Sequence, residues 1–230
     1  MTISTLEPQS PLTFDGIYDI PEAARYLKAS THGEAVYPIS PDKLIRWIRR
    51  GLASQELVQL PGLELLIAFE DLISMRVIAA LRSAGVGWRE IYETEQWLRH
   101  KTGAQRPFAT EIVWAGQGQI FADWTGRLLS ASRHGQMALE LLRQYLIPIH
   151  GLEFAESSLV ATSWEPLDGI VLEPTVQFGA PCLKGTRIPT RTISGMIEAG
   201  DSVSWISAAF DLSPDEVHAA CEWESRVRAE

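Results

Sequence analysis

The sequence predicts an α+β protein that is mainly helical, and three observations carry that prediction. Helix-start patterns with proline in the first turn recur along the chain, at DIPEAARYL (19–27), SPDKLIRWI (40–48) and SPDEVHAAC (213–221). Apolar residues at helical spacing follow each of them. The β-type runs are short and broken by Gly- and Pro-containing turns, as in LVQLPGLELLIAF (57–69) and EIVWAGQGQIFADW (111–124). With 230 residues, the chain is long enough for one large domain or two modest ones.

Residues 1–15 form a polar lead-in with two prolines, expected to be disordered and to lack the basic flank and apolar region of a secretory signal. No run approaches the ~18 consecutive apolar residues that a membrane span needs. The cysteines, Cys182 and Cys221, form neither a CxxC pair nor a disulfide framework. Reduced thiols in a cytoplasmic protein are the expectation.

Residues 16–103 form the first expected domain. Pro21 and Glu22 open one helix, with the acid placed where the helix dipole favours it. Ser40 caps a second helix that begins at Pro41 and stops at Gly51. Pro61-Gly62 then turns between two β-type runs, the expected wing of a winged helix-turn-helix. Two further helices are expected over 69–85 and 85–103, parted at Gly85–Gly87; the second carries an apolar stripe of Trp88, Ile91, Tyr92 and Leu98.

Residues 104–172 form an α/β middle region. A hairpin is expected over 111–124 with its turn at Gly116–Gly118, a helix over 135–146, and short strands around 152–163. Trp114, Phe121 and Trp124 are the aromatics able to line an effector pocket there. The histidines at 32, 100, 134, 150 and 218 have no metal-ligand spacing, and no acid–base constellation is visible. Catalytic residues, a metal site and a cofactor are therefore not expected.

Residues 173–230 form a three-helix bundle of helix-turn-helix size. Thr190 is the expected cap of a helix carrying Ile193, Met196 and Ile197 and ending at Gly200. Asp201 or Ser202 caps a second helix, and Ser213 with Glu216 makes a capping box for the last. The bundle is introduced by GAPCLKGTRIPT (179–190). This stretch is not a phosphate loop, because Lys184 precedes Gly185 and Pro189 forbids a helix starting at that glycine. Gly179 and Gly185 permit positive-φ turns, Pro181 and Pro189 fix φ, Thr186 bonds locally and Thr190 caps. Three roles stay open for the loop: pinning the bundle and its dimer, phosphate contact by Lys184, Arg187 and Arg191, or contact with a partner protein. Cys182 is either a thiolate beside Lys184 or a half-buried thiol.

The net charge of −9 excludes a general nucleic-acid coat but not a local reading surface. In the helix at 41–52, Lys43, Arg46, Arg49 and Arg50 share one arc, and Leu44, Ile45, Trp47 and Ile48 take the other. Against Asp42 they leave a local charge of +3. That outer face, in a helix–helix–wing order, fits major-groove reading. Residues 211–230 instead carry six acids against Arg226 and Arg228, so phosphates would be repelled there.

The segments DIPEAARYL, LIRWIRRGL and IAFEDLISMRVIAALRSAGVGWREI resemble the MerR-type winged helix-turn-helix over about 17–103. One departure is the insertion THGEAVYPIS (31–40) before the basic helix, where MerR proteins have a tight turn. GAPCLKGTRIPTRTI and its continuation resemble the antitoxin family with a G-x-P-x-x-K-G-T-R-I-P signature, grouped with VapB-type antitoxins, over about 173–225. The two resemblances imply a non-enzymatic cytoplasmic homodimer that masks a PIN-like ribonuclease toxin, with Arg226 and Arg228 as candidate toxin contacts. They also imply autorepression through operator DNA, with Lys43, Arg46, Arg49 and Arg50 as readers. The rival expectation is a MerR-like, ligand-responsive regulator without a toxin partner.

Overall fold

The computed structural model describes residues 16–30, 39–52, 65–83, 85–114, 126, 151–156 and 159–229. Its architecture is the expected one, α+β and mainly helical. Strand β1 (Tyr18–Asp19) leads into α1 (Ile20–Ala29), followed by α2 (Pro41–Ile48) and β2 (Leu66–Ile67). Helices α3 (Phe69–Ser83) and α4 (Trp88–Thr102), a 3-10 turn (Pro107–Ala109) and one helical turn, α5 (Glu111–Trp114), come next. Strands β3 (Leu152–Phe154), β4 (Ala161–Leu167), β5 (Ile170–Leu172) and β6 (Cys182–Leu183) then precede α6 (Thr190–Glu198), α7 (Val203–Phe210) and α8 (Pro214–Arg228).

Local chemistry explains the starts. Asp19 caps α1, its Oδ1 accepting from the Glu22 N–H at 2.6 Å, with Pro21 in the first turn. Ser40 occupies the N-cap of α2 with extended backbone, although its side chain makes no capping bond, and Pro41 follows. The regular helix ends at Ile48, and Gly51 supplies the positive φ of the turn that leaves it.

The return run of the expected wing, Leu66–Ile67, pairs antiparallel with Tyr18–Asp19. The Pro61-Gly62 turn and the run before it lie outside the described residues. Helix α3 is buried almost all round, including Leu72, Ile73, Met75, Val77, Ile78 and Leu81. Its Asp71 is fully buried and accepts from the Ala68 N–H at 3.2 Å and from Arg106 Nε at 2.5 Å. In α4, Ile91 and Leu98 are buried and Trp88 is packed on the core, but Tyr92 is exposed.

The expected hairpin over 111–124 is not what begins at Glu111. Residues 111–114 form a helical turn, because the 3-10 turn at Pro107–Ala109 already winds the backbone and the Thr110 hydroxyl bonds back to Pro107 O at 2.6 Å. Residues 115–124, with Phe121 and Trp124, the side chain of Trp114, and the helix expected over 135–146 lie outside the described residues.

The strands expected around 152–163 are present as β3 and β4, the first two of an antiparallel meander β3-β4-β5-β6. In it Leu152 faces Trp164, Trp164 faces Leu172, and Ile170 faces Leu183. The three helices that follow match the expected bundle, with two adjustments. Ser202 caps α7, accepting from the Trp205 N–H at 3.2 Å. The N-cap of α6 is Pro189, not Thr190. Thr190 is the first helical residue, and its hydroxyl is used in packing instead. The Ser213–Glu216 capping box of α8 is complete.

One hydrophobic core runs through the described residues, from Tyr18, Tyr26 and Leu27 to Ile193, Val217 and Trp223. Helix α1 packs on α2 on one side and on α8 on the other. The Tyr26 ring lies 5.9 Å from Trp223 and 6.1 Å, edge-on, from Tyr18.

Candidate functional site

The amphipathic reading of α2 holds side chain by side chain. Leu44, Trp47 and Ile48 are buried, Ile45 is partly buried against the core, and Arg46, Arg49 and Arg50 are exposed. Lys43 is half-buried at the edge of the arc. Burial of one stripe forces the cations outward, since a buried guanidinium without a partner is far too costly. Arg50 does not stand alone: its guanidinium lies 4.7 Å from the Trp88 ring centre, and Arg82 approaches the same ring at 4.8 Å. Trp88 in turn packs on Trp47 at 5.6 Å. These contacts tie the C-terminal end of the basic helix to α4.

The GAPCLKGTRIPT loop is held throughout by its own backbone and neighbours. Gly179 has φ +88 and is buried. Its carbonyl accepts from the Tyr18 hydroxyl at 3.0 Å, and a Cβ there would sit 2.2 Å from that oxygen. Leu183 to Thr186 form a tight turn, with Thr186 N donating to Leu183 O at 3.0 Å and Gly185 at φ +72. Positive φ at the third turn position is what selects glycine there. The Thr186 hydroxyl donates to Leu183 O at 2.8 Å and accepts from Ile188 N at 3.0 Å.

Glu165 on β4 clamps the loop from below. It accepts from Lys184 Nζ at 2.7 Å and from Gly169 N at 2.9 Å. The same carboxylate holds the Lys184 ammonium protonated above its ordinary range, chiefly through that hydrogen bond. Arg187 is exposed, and its carbonyl accepts from the Gln177 side chain at 3.1 Å. Arg191 is exposed in the first turn of α6. The Thr190 hydroxyl lies 2.5 Å from Glu224 Oε1 and 3.3 Å from Pro181 O. Its single proton goes to the closer, charged acceptor.

Burial pushes the Cys182 thiol up to about 11, against the lesser opposing effect of Arg187 and Arg191. It is therefore a buried thiol and not a thiolate beside Lys184. The arginines on α8 are both engaged within the chain. Arg226 pairs with Glu222 one turn away, and Arg228 pairs with Glu198 and donates to Ser194 Oγ at 2.8 Å.

The candidate residues thus lie on the basic arc of α2, in the loop and on α8, and the structure brings Arg191 and Arg228 together at one cleft. Sequence reasoning missed Arg25 on α1, which lines a cleft of about 270 Å³ together with Arg191, Arg228, Glu22 and Glu224. Its position on the helix arc is readable in the sequence, but its neighbours Arg191, Glu224 and Arg228 lie 166, 199 and 203 positions away. Among the described residues, no group of three or more His, Cys, Asp or Glu is placed to hold a metal ion, and no helix is long and apolar enough to cross a membrane.

Known proteins are similar to parts of this chain. Residues 170–223, which contain the loop and most of the bundle, match a family described as "Protein of unknown function (DUF433)". Over 172 residues the chain is 26% identical to a protein of Mycobacterium tuberculosis (strain ATCC 25618 / H37Rv) described as "Putative antitoxin VapB45", covering 68% of this chain and 70% of that one. The chain also shares its fold with the crystal structure of Rv2018 from Mycobacterium tuberculosis. There the TM-score is 0.68 at 19% identity, covering 94% of this chain and 100% of that one.

Proposed function

We propose that the protein is the antitoxin of a toxin–antitoxin pair. In this reading it is a cytoplasmic, non-enzymatic homodimer that masks a PIN-like ribonuclease by direct contact and represses its own operon. The observation that carries the DNA-binding half is the outward cationic arc of α2, in which Arg46 and Arg49 face solvent over a fully buried Leu44–Trp47–Ile48 stripe. The similarity to a protein described as an antitoxin supports the other half.

In operator binding, α2 enters the major groove and Arg46 and Arg49 supply charge-assisted bonds to phosphates or base edges. Arg50, stacked on Trp88, sets the pitch of the helix against α4. The 16–103 unit reads DNA in this scheme, and the 173–230 bundle serves assembly and toxin contact. Lys184 and Arg187 act as peripheral backbone contacts. Arg226 and Arg228 reach the toxin only by exchanging their Glu222 and Glu198 partners for acidic groups on it.

The test is a gel shift on the protein's own promoter across a salt series. Arg46→Glu with Arg49→Glu is expected to abolish the shift at moderate salt. A single Ala variant that removes one arginine–phosphate pair lowers the salt slope by about 0.9. If only Lys184→Glu with Arg187→Glu weakens binding, the DNA-reading unit has been assigned to the wrong half of the chain. Toxin capture is tested with Arg226→Glu and Arg228→Glu in the full chain. A truncation at 172 is unsuitable, because it strips Tyr26 of its Trp223 neighbour.

A further inference from the structure

The cleft between α1, the 180–191 loop and α8 contains an arrangement that intramolecular pairing leaves unfinished. It is lined by Glu22, Arg25 and Tyr26 from α1, by Pro181, Pro189 and Arg191 around the loop, and by Glu224, Val227 and Arg228 from α8. Two glutamates and three arginines in one cleft would ordinarily neutralise one another. Here the glutamates are taken by neutral donors instead. Glu22 Oε1 accepts from the Tyr26 hydroxyl at 2.6 Å, and Glu224 Oε1 accepts from the Thr190 hydroxyl at 2.5 Å. Burial and Glu22 together push the Tyr26 hydroxyl well above its ordinary range, so that proton stays in place.

Arg228 is also committed, to Glu198 and Ser194. Arg25 and Arg191 remain. Both are exposed, both line the cleft, and neither has a hydrogen bond or ion pair among the described residues. They come from two different elements, one from α1 and one from α6, and each offers a planar fork of N–H donors.

We infer that this cleft is an anion site that takes a carboxylate carried on a short apolar stem. The guanidinium forks match a carboxylate in bidentate geometry. Pro181, Pro189 and Val227 supply an apolar wall for the stem. A volume of about 270 Å³ holds an acidic side chain with its adjoining backbone, and is near the lower end of small-molecule sites, roughly 300 Å³ upward. A nucleic-acid backbone fits poorly. Glu22 and Glu224 line the cleft and oppose any anion there, but a single carboxylate sets one charge against them, whereas a nucleic-acid backbone brings a run of phosphates to a helix that also carries Asp215, Glu216 and Glu222. Arg191 is thereby assigned to this cleft and not to DNA. The site stands independently of the proposed operator and toxin contacts.

The carboxylate has two possible sources, an acidic side chain of a protein partner or a free small carboxylic acid. The test uses the full-length chain with two probes, N-acetylglutamate N-methylamide and butyrate, and inorganic phosphate as competitor. The Arg25 and Arg191 Nε–Hε resonances are followed by NMR. Saturable shifts of both are expected, and Arg25→Gln and Arg191→Gln each weaken binding about fivefold or more. Arg191→Lys restores only part of the affinity, because a lysine lacks the fork. Both side chains are exposed, so unchanged thermal midpoints separate loss of the site from loss of the fold. Tighter binding of the blocked glutamate identifies a protein side chain as the occupant, and equal or tighter binding of butyrate identifies a free acid. Absence of a saturable shift, unaltered affinity in both Gln variants, or displacement by phosphate at equal concentration overturns the proposal.

Discussion

Gly179 shows how much a single residue decides here. Positive φ and a Tyr18 hydroxyl lying where a Cβ would sit both exclude a side chain. Gly179→Ala must therefore strain the backbone and push Tyr18 off its hydrogen bond. A loss of about 2–4 kcal/mol is expected from overpacking and the left-handed backbone together, measured as a shift of the denaturant midpoint. Gly185→Ala, at a similar φ but in open space, should cost only the backbone part, about 1–2 kcal/mol. The need for glycine at both positions is legible in the sequence. That Gly179 is the more demanding of the two is not, since its obstacle is a tyrosine 161 residues earlier.

Among the elements, α8 carries the clearest sequence signal and the clearest pH signature. Ser213 accepts from Glu216 N, and the Glu216 carboxylate accepts from Ser213 N at 2.7 Å. That backbone bond, helped by the Ser213 hydroxyl, holds the Glu216 carboxyl below its usual range. A carboxylate whose folded pKa lies below its unfolded one stabilises the fold above the unfolded value of about 4.3. This contribution disappears as pH falls through the lower, folded value. Glu216→Gln is therefore expected to be less stable than the parent chain at pH 7 and to match it near pH 3, whereas Ser213→Ala, which removes the pH-independent acceptor of the Glu216 N–H, should cost about 1 kcal/mol at both, measured by thermal unfolding across that range. The capping box could be read directly because four consecutive residues contain it. The sequence predicts the same kind of cap at Thr190, but Pro189 already supplies the extended backbone before α6, which frees the Thr190 hydroxyl for Glu224.

Across the whole molecule, α1 is the shared element. It packs on the basic helix and on α8, through Tyr26 and Trp223 and through a hydrogen bond from Lys28 Nζ to Ala229 O at 2.8 Å. The two ends of the chain therefore lean on one core. Trp223→Ala removes a fully buried indole and is expected to cost about 3–5 kcal/mol. In a hydrogen-exchange measurement, α1 amides should lose protection together with those of α8. If α1 kept full protection in that variant, the two ends would be energetically separate.

What the sequence determined by itself is local. The α+β class, the helix starts at Pro21, Pro41 and Pro214, the outward arc of Arg46 and Arg49, and the failure of GAPCLKGTRIPT as a phosphate loop all follow from spacing and backbone chemistry within a few residues. The tertiary structure alone decided how these pieces meet. It sent Leu66–Ile67 to pair with Tyr18–Asp19, wound Glu111–Trp114 into a helical turn, stacked Arg50 on Trp88, and brought Arg25 and Arg191 to one cleft. Periodicity says which side of an element is buried, but not which element buries it, because that choice rests on shape and packing between segments far apart in the chain.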